Sequence, residues 1–176
     1  IQLLLESGCR QEATAYAGEL MRQQEHSSQL GQCENPLVDA FLFSRIREAR
    51  QAGIPVEAPV VLPRRLPIAN VDLVILFGNL MDNAVEACGQ VASPFIRLEA
   101  GLRKDYLVVT ETNPAPADDT RKKRRIPQLE RGIGLHILTD LAGRYHGSCT
   151  QEVRDGQFTV SIALQLPENQ GETEEA

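Results

Sequence analysis

The chain alternates apolar stripes with polar interruptions, and the period of each stripe predicts an element. From Val71 to Gln90, Leu73, Leu76, Phe77, Leu80, Met81, Ala84, Ala87 and Cys88 recur at i, i+3, i+4 and i+7, the buried face of a helix. A second stripe of the same helix carries Asn79, Asp82, Asn83 and Glu86. Four carboxamide or carboxylate groups therefore stand in line. The start of this helix is expected to be capped near Asn70 or Asp72. Upstream, Asn35-Pro36 is a helix start, a capping side chain followed by Pro at the first helical position. Val38, Phe41, Leu42, Ile46 and Ala49 give that helix its buried face, and Gly53 ends it. Ile54 to Leu62 contains Pro55 and Pro59 and reads as an edge strand, because Pro cannot donate to a sheet.

Period-two segments follow. Phe95 to Leu102 and Tyr106 to Thr112 predict a hairpin turning near Lys104-Asp105. Ser148 to Val153 and Phe158 to Leu166 predict a second, with Asp155-Gly156 as its turn. Between them, Asn113 to Arg131 has almost no apolar residues and carries Pro114 and Pro116. A loop this long inside a compact domain is functional or disordered. Gly132-Ile133-Gly134 then opens a helix bearing Leu135, Leu138, Leu141, Ala142 and Tyr145. At the start of the chain, Ile1, Leu3, Leu4 and Leu5 read as the last turns of a helix that stops near Gly8. Ala13, Tyr16, Ala17, Leu20 and Met21 form another stripe over Gln11 to Gln24. Residues 1–30 thus read as the remainder of an antiparallel helical hairpin, 35–167 as the main domain and 168–176 as an acidic, disordered tail. Helices and strands segregate instead of alternating as βαβ units, which predicts an α+β sandwich and not a doubly wound sheet.

Charge and cysteine usage narrow the function. The net charge is -6, and Glu168, Glu172, Glu174 and Glu175 of the tail supply four of those charges. A mildly acidic body argues against a nucleic-acid binder. The one dense basic run is Arg121-Lys122-Lys123-Arg124-Arg125, either a solvated loop or a local phosphate site. Cys9, Cys33, Cys88 and Cys149 are scattered without a CxxC pair, the pattern of reduced thiols and not of a zinc site or disulfide framework. No apolar run reaches membrane-spanning length, and the opening residues are not expected to be a signal peptide. The chain opens at Ile1 inside an amphipathic stripe, so it is expected to be a fragment, with any membrane segment upstream.

The polar stripe is where chemistry is expected. Solvated faces favour Lys, Glu, Gln and Arg, whereas Asn competes for backbone hydrogen bonds and is a poor helix former. Two Asn residues one turn apart cost stability and point to a use, with an ordinary solvated face as the alternative. Oxygen ligands with no Lys or Arg among them suit Mg²⁺, which takes few protein ligands and keeps several waters. The basic loop runs into Gly132-Ile133-Gly134 and a helix N-terminus, whose N–H groups and dipole suit phosphate. An isolated GxG is as well explained by a tight turn. Its conjunction with the Asn stripe and the basic run supplies a metal ligand, a phosphate cradle and cations together.

Gly78-Asn79-Leu80-Met81-Asp82-Asn83-Ala84-Val85-Glu86-Ala87 resembles the N-box of the GHKL superfamily, the ATPases of the gyrase, Hsp90, histidine kinase and MutL kind. Arg131-Gly132-Ile133-Gly134-Leu135 resembles the glycine box that ends its ATP lid. Order and spacing agree from about Asn35 to Pro167. Within the superfamily the chain looks most like sensor histidine kinases of the quorum-sensing, accessory-gene-regulator type. Leu37-Val38-Asp39-Ala40-Phe41-Leu42 with Ala52-Gly53-Ile54 resembles the opening helix of their catalytic domain. Thr112-Asn113-Pro114 resembles the Asn-Pro that replaces DxGxG there, and Ile1 to Gln24 resembles the segment after their phosphoacceptor histidine.

The resemblance implies a Bergerat-type α/β sandwich: a mixed, mostly antiparallel sheet with helices on one face, preceded by a truncated dimerisation hairpin. It implies ATP and Mg²⁺ as cofactors, a response regulator and a second copy of the chain as partners, and a cytoplasmic domain of a membrane-anchored bacterial protein. Asn83 would coordinate Mg²⁺, with Asn79 supporting phosphate or metal and Glu86 near the nucleotide. Asn113 would read the adenine amino group through its carboxamide oxygen. Lys122 and Arg131 would meet the terminal phosphates, while Gly132, Gly134 and Leu135 form the end of the lid. Such parts serve phosphoryl transfer, which rests on positioning and charge neutralisation.

Two departures sharpen the picture. Asn113-Pro114-Ala115-Pro116 has none of the DxGxG glycines, which raises a rival reading: a degenerate GHKL module that binds partners without kinase activity. The water-activating Glu of the superfamily's hydrolases would fall one turn before Asn83, where Asn79 stands. Asn is no general base, so a gyrase-like hydrolase and an anti-sigma-factor serine kinase are both disfavoured. His136 and His146 read as structural or surface residues and His26 as a poor phosphoacceptor. The acceptor histidine is expected upstream of Ile1.

Overall fold

The structure is a computed structural model, and it describes residues 33–115 and 133–167. The expected hairpin of 1–30, the basic run with Lys122, the residues Arg131 and Gly132, and the tail of 168–176 lie outside the described residues.

Helix α1 spans Pro36–Gln51. Asn35 caps it by accepting the Val38 N–H at 3.0 Å, and Pro36 sits where a missing N–H costs nothing. Gly53, at φ 81°, turns the chain out of the helix. Strand β1 is Val56–Glu57 only, shorter than the expected Ile54–Leu62. The two prolines explain the break. Pro55 and Pro59 contribute their carbonyls, accepting from Ile96 N–H at 2.9 Å and Ala100 N–H at 3.3 Å, and have no N–H to extend the ladder. Isolated bridges at Val60 and Leu62 continue the edge.

Helix α2 spans Asn70–Cys88. Its cap is Ala69, with no side-chain hydrogen bond, and not Asn70 or Asp72 as expected. Asp72 is committed elsewhere, as described below. Leu76, Phe77, Leu80, Met81 and Ala84 are fully buried, so the apolar stripe is the centre of the core.

Strands β2 (Ile96–Arg103) and β3 (Tyr106–Pro114) form the first hairpin, turning through Lys104 at φ 52°. Helix α3 (Ile133–Arg144) precedes the second hairpin, β4 (Ser148–Arg154) and β5 (Gln157–Gln165). There Asp155 and Gly156 both take positive φ, the geometry of a tight two-residue hairpin turn. The sheet order is β1-β2-β3-β5-β4. β1 joins β2 in parallel and the other pairs are antiparallel. One face is apolar, with Ile96, Leu98, Leu107, Val109, Val160, Ile162 and Leu164 packed in one core with α1, α2 and α3. The other carries Arg97, Glu99 and cross-strand hydroxyl pairs, Thr110–Ser161 at 3.4 Å and Thr112–Thr159 at 3.1 Å. This is the expected α+β sandwich, a mostly antiparallel sheet with helices on one face.

Candidate functional site

The site is built on the polar stripe of α2. Asn79 is 7% exposed, and its Nδ2 donates to the Ile75 carbonyl one turn back at 2.7 Å. That bond uses one amide hydrogen and leaves Oδ1 as an acceptor beside Gly134. Asn83, one turn on, has its Nδ2 buried with no partner among the described residues. A buried donor left unpaired costs roughly 1–3 kcal/mol, so this amide is open to an acceptor that the described residues do not supply. Glu86 is exposed at the end of the stripe.

Helix α3 comes down on this stripe at Gly134. A Cβ built on Gly134 would lie 2.9 Å from Asn83 Oδ1, 3.0 Å from Asn79 Oδ1 and 3.2 Å from Asn83 Nδ2. The glycine is required by close approach: its φ is not in the left-handed region, but a side chain would occupy the place where both carboxamides converge. Leu135, next in the helix, is half-buried against the core. Leu138 and Leu141, both fully buried, anchor the helix below it.

The far end of α3 is clamped to the start of α2. The Tyr145 hydroxyl donates to Asp72 Oδ2 at 2.7 Å and accepts the Ala69 N–H at 3.1 Å. Arg144 pairs with Asp72 Oδ1 at 3.0 Å. Burial, reinforced by the Asp72 carboxylate, raises the Tyr145 hydroxyl above its ordinary value. Sequence reasoning missed this clamp, since its members are more than seventy positions apart and Tyr145 reads as one more apolar contact.

The stripe itself carries no Lys or Arg, but a cation reaches it from a neighbouring helix. Arg45 of α1 forms an ion pair with Asp82 and also pairs with Glu48 at 3.0 Å. Asp82 is thereby withdrawn from the candidate ligand set and becomes a tie between α1 and α2. What remains is two carboxamides and, at the exposed end, the Glu86 carboxylate, a donor set fit for a hydrated hard cation completed by ligand oxygens. Among the described residues no group of three or more His, Cys, Asp or Glu side chains could hold a metal ion.

Asn113 is corrected as well. It was expected at the start of a loop, but it lies in β3 opposite Phe158 and is 1% exposed. Its Nδ2 donates to the Pro114 carbonyl at 2.9 Å, and its Oδ1 has no partner among the described residues. One amide hydrogen is thereby used, and the carbonyl oxygen remains as an acceptor. Glu111, two residues earlier on the same face, is also 1% exposed and has an unpaired Oε1. Burial pushes its carboxyl up to about 8, so it is protonated at neutral pH. The sequence signal for Glu111 was present: an acid at an inward position of an alternating strand. His136 and His146 are exposed. Cys33 and Cys88 carry free buried thiols. No described helix is long and apolar enough to cross a membrane.

A family model described as the GHKL domain matches residues 68–165, from the segment before α2 to the end of β5. The chain belongs to the GHKL-domain family. Sensor histidine kinase DcuS of Escherichia coli K12 is 29% identical over 155 residues, spanning 82% of this chain and 28% of that protein. Sensor histidine kinase NatK of Bacillus subtilis 168 is 26% identical over 142 residues, 74% of this chain and 45% of that one. The chain therefore spans less than half the length of these curated relatives. Among solved structures, the histidine kinase domain of the blue-light activated histidine kinase from Erythrobacter litoralis EL346 superposes with a TM-score of 0.62 at 16% identity. It covers 89% of this chain and 73% of that one. The catalytic domain of histidine kinase ThkA gives 0.61 at 18% identity, covering 75% of this chain and 92% of that one. At such identities the likeness is one of fold, and the fold of this GHKL domain is that of histidine kinase catalytic domains.

Proposed function

We propose that residues 35–167 are the ATP-binding catalytic domain of a two-component sensor histidine kinase. The whole protein transfers the ATP γ-phosphoryl to a histidine upstream of Ile1 and then to an aspartate of a response regulator. The observation that carries this reading is the convergence at Gly134. There two carboxamide oxygens and the start of α3 meet with room for nothing larger than hydrogen, beside an unpaired Asn83 amide.

In this reading Asn83 holds Mg²⁺ through Oδ1 and offers Nδ2 to a phosphate oxygen. Asn79, its own amide tied to Ile75, presents Oδ1 to the metal's water shell. Mg²⁺, when bound, neutralises phosphate charge. Asn113 Oδ1 accepts from the adenine amino group, and Glu86 borders the nucleotide from solvent. Lys122 and Arg131 neutralise the terminal phosphates, while Gly132, Gly134 and Leu135 form the lid's end. Residues 1–30 complete a helical hairpin that dimerises the kinase, and 168–176 are a tail. The protein is anchored in a bacterial membrane through segments upstream, with this domain in the cytoplasm. The Asn113-Pro114 pair supports placing it near the quorum-sensing, accessory-gene-regulator branch.

A longer form of the protein, extended upstream through the acceptor, is incubated with Mg²⁺ and γ-labelled ATP. The expected result is acid-labile label on a histidine, lost in Asn83→Ala. A folded dimer that takes no label would contradict kinase activity and favour the partner-binding module.

A further inference from the structure

Most inward positions of the sheet are apolar, and Glu111 breaks the rule. Its register neighbours are Leu98 on β2 and Val160 on β5. The titratable group facing it from α2 is Cys88, a buried thiol that burial raises and that the charge of Glu111 raises further. Nothing among the described residues pairs with Glu111 Oε1. An unpaired buried carboxyl costs stability wherever an apolar side chain of similar size would fit. It occupies the same strand face as Asn113, and at about 3.4 Å rise per residue their Cα atoms are about 7 Å apart. The glutamate side chain is one methylene longer, so both polar ends can reach one planar ligand. Two oxygens without partners among the described residues, each on a side chain 1% exposed, thus belong to successive inward positions of β3.

We propose that Glu111 is a second base-reading residue, donating a hydrogen bond from its carboxyl O–H to ring nitrogen N1 of the adenine whose amino group Asn113 accepts. This rests on the ATP-binding reading above. The Watson–Crick edge of adenine presents an N6 donor beside an N1 acceptor, so it needs an acceptor and a donor from the protein. Asn113 supplies the first, because its own amide is bound to Pro114. A protonated carboxyl supplies the second. The proton stays on Glu111 at neutral pH because burial holds the carboxyl well above the ordinary range.

The test compares Mg²⁺ complexes of ATP and 1-deaza-ATP, which lacks the N1 acceptor, by calorimetric titration at pH 7. The proteins are the parent, Glu111→Gln and Glu111→Leu. Replacing N1 is expected to weaken binding about tenfold in the parent and in Glu111→Gln, whose amide still donates. Glu111→Leu should bind ATP about tenfold more weakly than the parent and treat the two nucleotides alike, while its thermal midpoint without ligand stays level or rises. If Glu111→Leu loses as much as the parent when N1 is removed, or if the parent does not distinguish the two, the role of Glu111 is overturned while ATP binding stands. Failure of the folded parent to bind either nucleotide would overturn both readings. Loss of the fold in Glu111→Leu leaves the comparison of parent with Glu111→Gln to decide: equal, N1-independent binding would overturn the proposal.

Discussion

Gly134 is where one hydrogen atom in place of a methyl group matters most to the site. A Cβ there would meet Asn83 Oδ1 at 2.9 Å and Asn79 Oδ1 at 3.0 Å, closer than carbon and oxygen normally come. Asn83 can swing away, having no partner on Nδ2 among the described residues, whereas Asn79 is held by Ile75. The substitution therefore disturbs the ligand set more than the fold. Gly134→Ala is expected to weaken Mg²⁺-nucleotide binding about tenfold or more while moving the unfolding free energy by less than about 1 kcal/mol, since Ala favours a helix over Gly by about that amount. A calorimetric titration with a parallel melt checks both. Unchanged affinity would mean that the carboxamides do not work from these positions. Glu111 gives a second prediction at this scale. With its carboxyl at about 8 against an ordinary 4.5, the folded protein keeps a proton that the unfolded chain releases. Stability from this group is thus fully present below about pH 4.5 and is lost as pH rises to about 8. Urea unfolding from pH 5 to pH 8 should show this decline in the parent, and Glu111→Gln should remove most of it. Equal slopes would show that Glu111 is ionised in the fold.

At the scale of elements, α3 is a lever fixed at its far end. Tyr145 and Arg144 bind Asp72, and Gly147 brings the chain against β5. A methyl on Gly147 would overlap the Ala163 carbonyl, while its N–H donates to Ala142 at 2.8 Å. Gly147→Ala is expected to destabilise the domain by about 3 kcal/mol, read by denaturant unfolding. A change below about 0.5 kcal/mol would mean that α3 and β5 do not approach as described. Elements whose cause is local were legible in the sequence. The two faces of α2 followed from its period, the α1 start from Asn35-Pro36, and the second hairpin from Asp155-Gly156. The features that stayed hidden have causes distant in sequence. Arg45 reaches Asp82 from another helix, and Asp72 is drawn into the α3 clamp instead of capping its own helix. Asn113 resembles a loop residue until pairing with Phe158 places it in a strand. The period of α2 put Asn79 and Asn83 on one stripe, but only the fold brings Gly134 onto it.

At the scale of the whole molecule, α2 is tied to its neighbours at two points, Asp72 in its first turn and Asp82 within the polar stripe. Arg45 holds it to α1 and Asp72 holds it to α3, both through charged groups that the site does not need. Asn79 stands between these ties and Asn83 directly after the one at Asp82, its amide without a partner among the described residues. This arrangement pairs Asp82 with Arg45 and leaves the proposed metal and phosphate contacts to carboxamides, which carry no charge of their own. The measurement that tests the account most directly is calorimetric titration of this chain with a non-hydrolysable ATP analogue, with and without Mg²⁺, on the parent and on Asn83→Ala. The account predicts Mg²⁺-dependent binding by the parent and its loss, by at least about two orders of magnitude or some 2.7 kcal/mol, in Asn83→Ala. A folded parent that does not bind, or an Asn83→Ala protein that binds as well as the parent, would contradict it.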